Sequence, residues 1–243
     1  MIHTKDKAGI WQQDKTMPEG KWEFNNDVAE VFDDMLQRSI PEYNLMRELV
    51  NRIGCQYVKP NRYIVDVGCS NGNAIYPFIK TYGDFCKYML LDVSEPMLEK
   101  CKERYKNYGC VEVMNLDVIH GLPKIKASVV LSVLTLQFTP IEYRQKILQS
   151  IYDVMEEGAA FILVEKVLGN TYEIDEIMVN EYYRIKSENQ YTQEQIQAKR
   201  KSLEGVLVPI TARWNEELLK ETGFKKVDCF WRCLNFAGWL AIK

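Results

Sequence analysis

A chain of 243 residues, 47% apolar and 27% charged, is long enough to bury the core of one large α/β domain and short for two. Its 31 basic and 34 acidic residues give a formal net charge of −3, which leaves no global basic surface for a phosphate backbone, so direct nucleic-acid binding is not expected. No apolar run approaches the roughly 18 to 20 residues that cross a bilayer, and the N-terminus lacks the apolar core of a signal peptide; a soluble, cytoplasmic protein without a membrane role is expected.

The first twenty residues are polar and lack a sustained period, which predicts a flexible segment over 1–20 ahead of one domain over 21–243. From Asp27 to Ser39, Val28, Val31, Phe32, Met35 and Leu36 recur at helical spacing, and Pro41 ends the pattern. A second helix is predicted from Tyr43 to about Cys55. Y-I-V-D-V from Tyr63 is a short buried strand, Asn73 to Tyr82 reads as a helix, and K-Y-M-L-L-D-V is a second strand. A helix over Pro96 to Tyr108 opens at an N-cap Ser94 with proline at an early position.

C-V-E-V-M-N-L-D-V and A-S-V-V-L-S-V-L-T follow as strands, then a helix from Ile141 to Met155, then the strand A-A-F-I-L-V-E-K. Near-continuous apolar strands alternating with helices predict a mostly parallel, doubly wound α/β sheet covered on both faces, with two N-terminal helices ahead of it. A helical insertion is expected at about 172–204. F-K-K-V-D-C-F-W and F-A-G-W-L-A-I-K close the chain as a hairpin at the sheet edge.

Seven cysteines, at 55, 69, 86, 101, 110, 229 and 233, form no C-x-x-C and fall mostly in apolar-patterned segments. They read as reduced, buried small side chains rather than a disulfide frame or a zinc site. With only His3 and His120 present, a histidine base or histidine metal ligands are nearly excluded, and no metal is expected.

In a doubly wound sheet, ligands sit at the carboxyl ends of the strands. D-V-G-C-S-N-G-N, after the first strand, occupies that place. Its glycines are Gly68 and Gly72 with Ser70 between them, so it is not the dinucleotide fingerprint; a simple turn with a helix cap is the alternative. The second strand ends in Asp92, where a carboxylate can accept hydrogen bonds from both ribose hydroxyls, and Asp117 after the third is placed to meet an adenine amino group beside Val118. Each aspartate alone reads more often as a cap or a surface charge, but together, in this order and spacing, they indicate a nucleoside. No G-K-S/T and no second glycine set serve a pyrophosphate, so an amino-acid-like tail is expected, which points to S-adenosylmethionine. D-x-G-x-x-x-G with these acidic strand ends resembles the Rossmann-like class I S-adenosylmethionine-dependent methyltransferases.

D-V-A-E-V-F-D-D-M-L-Q-R-S-I-P-E-Y, D-V-G-C-S-N-G, T-L-Q-F, V-E-K, K-R-K-S-L-E-G-V and L-N-F-A-G-W-L-A-I together resemble the bacterial carboxy-S-adenosylmethionine synthases from about Trp22 onward. The resemblance implies that prephenate loses its ring carboxyl as carbon dioxide and aromatises to phenylpyruvate, while the carbon dioxide is captured at the sulfonium methyl to give carboxy-S-adenosylmethionine. It also implies a homodimer whose product passes to a separate carboxymethyltransferase. That enzyme would modify the tRNA wobble uridine, or cytidine in a peptide-nucleotide antibiotic pathway.

Carried over by resemblance, Tyr43 lies near the amino-acid tail, Gly68, Cys69 and Ser70 form the turn, Asp92 and Val93 are the ribose pair, and Asp117 and Val118 the adenine pair. Arg200 meets the new carboxylate; Arg200 and Tyr43 are the implied catalytic residues. A guanidinium suits that task because it is always charged and holds a carboxylate with two parallel hydrogen bonds. The family commonly has asparagine where Val133 stands and a polar residue at Val93. Tyr182, Tyr183, Arg184 and Tyr191 of the insertion are candidates for the prephenate site, or else a lid packed into the core or a second subunit; Trp231, Phe236 and Trp239 are assigned to core or interface. The competing readings are an ordinary methyltransferase acting on a small molecule, and a non-catalytic S-adenosylmethionine sensor.

Overall fold

The structure is a computed structural model that describes residues 14–243. Two helices lead, α1 (Asn26–Ser39) and α2 (Tyr43–Cys55), followed by β1 (Tyr63–Val67), α3 (Tyr76–Tyr82), β2 (Lys87–Asp92), α4 (Glu95–Tyr105) and β3 (Val111–Asn115). Then come β4 (Ala127–Val133), α5 (Ile141–Val154), β5 (Met155–Leu168), α6 (Tyr172–Glu188), α7 (Gln193–Leu203), β6 (Ile210–Thr211), α8 (Ala212–Thr222), β7 (Lys226–Cys233) and β8 (Phe236–Ile242). The caps explain several starts: Asn25 accepts from the Val28 amide, Ser94 from Met97 and Thr171 from Ile174. Thr192 and Gln195 form a reciprocal capping box at α7.

The strands run in the order β3-β2-β1-β4-β5-β8-β7, with the short β6 pairing off β5. All pairs from β3 to β5 are parallel, and only the β8 pairings are antiparallel, so the closing hairpin sits at one edge as expected. Period-two alternation in β1 divides the core between the faces. Ile64 packs with Phe78, Tyr88 and Val129 on one, Val65 and Val67 with Ile147, Ile151 and Trp239 on the other.

Four details depart from the sequence reading. Asn73 to Ile75 form turn rather than helix, so α3 starts only at Tyr76 with proline in its first turn. The helical insertion consists of two helices, α6 and α7, and it is followed by β6 and α8, for which no pattern was evident. Of the segment expected to be flexible, 1–13, including His3, lies outside the described residues, but from Asp14 the chain is held. The Asp14 amide donates to Asp34 Oδ2, and the Trp22 amide to the Ser202 carbonyl, laying 14–25 as a strap between α1 and α7. All seven cysteines are free; 69, 86 and 101 are buried, whereas 55, 110, 229 and 233 are only partly so.

Candidate functional site

β1 pairs with β2 on one side and with β4 on the other, so the chain leaves it at the point where strand order reverses and a crevice opens at the carboxyl edge. The turn there is tightly wound. The amides of Gly68 and Cys69 both donate to the Leu91 carbonyl, and Gly68 (φ +73°), Ser70 (φ +49°) and Gly72 (φ +77°) occupy the left-handed region. A Cβ on Gly68 would lie 2.2 Å from the Thr135 side chain, and one on Gly72 would lie 2.6 Å from the Tyr105 ring. Both glycines are therefore demanded twice, by backbone conformation and by close approach.

A cavity of about 1080 Å³, counted with its open mouth, fills this crevice. Tyr43, Gly68, Cys69, Ser70 and Val133 all line it, bringing together five of the residues expected from sequence. Two further lining residues, Asp66 and Arg47, were not singled out. Asp66 is 1% exposed and its Oδ2 has no hydrogen-bond partner among the described residues. Burial raises its pKa to about 7, against the opposing pull of Arg47 and helped by the charge of Asp92. Arg47 reaches the Tyr43 hydroxyl at 3.1 Å and the Asn73 carbonyl.

Asp92 stands at the rim. Its Oδ2 accepts from the Ser70 amide at 2.8 Å and its Oδ1 from the Ser94 amide at 2.9 Å, which locks the carboxylate toward the turn. Asp117 caps the single helical turn Val118–His120 through the Ile119 amide at 3.0 Å. Val118 is buried, whereas Val93 is 61% exposed. Asp92, Val93, Asp117 and Val118 lie outside the lining of the cavity. The T-L-Q-F segment is pinned from β5, because Glu165 Oε1 accepts from the Leu136 amide and Gln137 Oε1 from the Lys166 amide. Glu165 is wholly buried, and burial lifts its pKa to about 8 despite nearby Arg144.

Arg200 does not line this cavity but a second one, of about 540 Å³, between α6, α7 and β5. The two cavities share a wall that includes Lys166, Tyr182, Lys186 and Lys199. Lys199 is paired with Asp14 of the strap. For Asp14, burial pushes the pKa up, but Lys199 and the Tyr191 hydroxyl carry the net shift down. Of the insertion residues named from sequence, Tyr182 and Tyr183 line the second cavity. Tyr191 is instead buried under the strap, bonded to Asp14, and Arg184 is turned outward, 68% exposed and paired with Glu181 and Glu188 along its own helix. The i,i+3 and i,i+4 spacing of those glutamates could have excluded Arg184 beforehand. Trp231 and Trp239 are core, as expected; Phe236 is buried too, but also reaches the first cavity.

A methyltransferase-domain family matches residues 64–158. Human N-acetylserotonin methyltransferase in complex with S-adenosylmethionine shares the fold at a TM-score of 0.59 and 14% identity, covering 90% of this chain and 55% of that one. Haemonchus contortus phosphoethanolamine N-methyltransferase 2, also in complex with S-adenosyl-L-methionine, does so at 0.64 and 12%, covering 90% and 57%. Carboxy-S-adenosyl-L-methionine synthase of Methylococcus capsulatus is 36% identical over 90% of this chain and 93% of its own length. The synthases of Desulforapulum autotrophicum and Yersinia pestis are 36% and 32% identical, over 93% and 92% of this chain and 93% and 85% of theirs. The chain belongs to the carboxy-S-adenosyl-L-methionine synthase family.

As a synthase of this family, the chain is a transferase that uses S-adenosylmethionine on a class I methyltransferase fold, and the crevice suits that nucleoside. Asp66, a buried carboxyl with one oxygen lacking a partner among the described residues, lines the cavity together with the Arg47 guanidinium, a pair of groups whose charges suit the ammonium and carboxylate of an amino-acid tail. Among the described residues no group of three or more His, Cys, Asp or Glu side chains is placed to hold a metal, and no helix is long and apolar enough to cross a membrane.

Proposed function

We propose that this synthase takes prephenate as its second substrate, and the observation that carries the reading is the cationic wall between the two cavities. Lys166, Lys186, Lys199 and Arg200 line the second cavity, and Glu204 is the one carboxylate among the residues lining it. A dianion with two carboxylates is the kind of ligand such a wall would hold. The nucleoside, when bound, supplies a sulfonium whose charge makes the adjacent methyl acid enough to exchange a proton for a carboxyl. The balance is prephenate plus S-adenosylmethionine giving phenylpyruvate, water and carboxy-S-adenosylmethionine.

In this reading Asp66, Arg47 and Tyr43 hold the amino-acid tail, the Gly68–Cys69–Ser70 backbone passes beneath it, and Asp92 faces the ribose with Val93 at its edge. Asp117 and Val118 flank the adenine, and Val133 gives an apolar contact. Tyr182 and Tyr183 face the ring of prephenate, and Arg200 receives the carboxyl that the nucleoside gains. Trp22, Phe24 and Phe138 give the crevice an apolar wall, which would limit the water around the liberated carbon dioxide. We further propose one nucleoside-binding domain with a helical insertion at 172–204, acting in the cytoplasm as a homodimer. It would supply a separate carboxymethyltransferase that modifies either tRNA wobble uridine or the cytidine of a peptide-nucleotide antibiotic.

The test is mass spectrometry of the protein incubated with S-adenosylmethionine and prephenate. A nucleoside heavier by one carboxyl group, formed in step with phenylpyruvate, supports the reading. S-adenosylmethionine returned unchanged, or S-adenosylhomocysteine formed on adding a methyl acceptor, overturns it.

A further inference from the structure

Lys186 stands out among the cations of the shared wall. It is 5% exposed, lines both cavities, and lies between two aromatic rings, its Nζ 5.5 Å from the Tyr182 centroid and 5.1 Å from that of Tyr191. The charged groups that face it are Lys166 from β5, Lys199 from α7, Arg38 from α1 and Asp14 from the strap. Asp14, the sole carboxylate in that set, is held by Lys199 and also accepts from the Tyr191 hydroxyl. Arg38 in turn is bonded to Asp34, to the Asp14 carbonyl and to the Asn189 carbonyl. Lys186 Nζ makes no hydrogen bond or ion pair with a described residue, and its side chain borders both cavities.

A lysine placed in this way faces an arrangement that is complete only when an anion enters. We infer that Lys186 is a carboxylate-binding residue of the second-substrate site, and that it takes up a proton from solvent when the anionic substrate arrives. The inference rests on the reading of an anionic second substrate and adds to it a residue and a coupling. Burial, reinforced by repulsion from Lys199 and Lys166, holds its pKa down to about 7, so near neutrality the empty site is a mixture of amine and ammonium. An incoming carboxylate reverses the balance of charge and draws the amine into the ammonium form. The sign follows: below about pH 6 the residue is already protonated and binding takes up nothing, whereas between the free and bound pKa values uptake approaches one proton and affinity falls with rising pH.

The experiment is calorimetry of prephenate binding to the full chain with S-adenosylhomocysteine in place of the reactive nucleoside, so that no turnover occurs, in phosphate and in Tris at pH 7 and pH 8. The wild-type protein is expected to take up about half a proton at pH 7 and nearly one at pH 8, with affinity falling about fivefold across that unit. Lys186→Gln should bind at least about tenfold more weakly with little uptake. Lys186→Arg, always charged, should keep tight binding and lose the pH dependence, with a thermal midpoint near that of wild type to exclude a folding defect. Binding without proton uptake, or uptake that survives in Lys186→Gln, overturns the inference and leaves the prephenate reading intact. Failure of prephenate to bind while S-adenosylhomocysteine does overturns both.

Discussion

Replacing Asp66 by asparagine should stabilise the unliganded protein while abolishing its hold on the nucleoside. The carboxyl is 1% exposed with one oxygen unpartnered, and its pKa rises from 3.8 in the free side chain to about 7 in the fold. A raised carboxyl pKa means that the folded state binds the proton more tightly. The contribution is therefore fully present below about pH 4 and is lost as pH rises toward 7. A shift of roughly three units corresponds to a penalty of up to about 4 kcal/mol at complete ionisation. Asparagine fills the same space without the charge. At pH 8 the Asp66→Asn protein should melt several degrees higher than wild type, since 1 kcal/mol moves Tm by about 2 to 4 °C in a chain of this size, and the decline in wild-type stability between pH 4 and 7 should flatten. S-adenosylmethionine, which raises wild-type Tm by mass action, should raise that of the variant far less. Equal melting temperatures at pH 8 together with an unchanged ligand shift would refute the argument that this carboxylate is held ready for a cationic group.

Arg200→Ala should weaken carboxy-S-adenosylmethionine about tenfold to a hundredfold, the worth of a charge-assisted hydrogen bond of about 1.5 to 3 kcal/mol, with little effect on S-adenosylmethionine; titration of both ligands checks it, and equal losses would deny the arginine its role. Because Arg200 is exposed before ligand binds, the cost stays below that of breaking a buried pair. Gly68→Ala sets a Cβ 2.2 Å from Thr135 at positive φ, and should cost at least about 2 kcal/mol in a urea melt, whereas a loss under about 0.5 kcal/mol would mean that the turn relaxes freely. Lys199→Met strands Asp14, whose side chain is fully enclosed, and should cost about 3 to 5 kcal/mol; adding Asp14→Asn should recover part of it, and strictly additive losses would show that the two do not interact.

Most of the sheet was legible because each parallel strand carries a short apolar run closed by polar turn residues. Y-I-V-D-V was read with its observed bounds and the closing hairpin, β7 with β8, was placed at the sheet edge from its position in the chain. The start of α3 was misjudged because Asn73, Ala74 and Ile75 fit helical spacing while their backbone serves the glycine turn. β6 is only two residues long, and α8 follows it directly, so neither offered a period long enough to stand out. Among the candidate site residues, Gly68, Ser70 and Asp92 were read from chemistry that is local in sequence: a glycine turn, a following helix, an acidic strand end. Tyr43, Val133 and Arg200 came through resemblance alone.

Asp66, Arg47, Lys166, Lys186 and Lys199 were passed over for a different physical reason. An aspartate inside a strand motif and a lysine on a helix read as a fold signature and a solvated charge, and nothing in their neighbours along the chain says that water is excluded from them. Sequence by itself determined the doubly wound sheet, the glycine turn at its switch point and, through motifs spread along nearly the whole chain, the kinship to the carboxy-S-adenosylmethionine synthases. Only the tertiary structure decided which charges are buried. Desolvation depends on what the fold brings from far away: Asp14 against Lys199 from 185 residues on, and α6 and α7 over the end of β5. That distant enclosure turns three ordinary lysines into one wall facing two cavities.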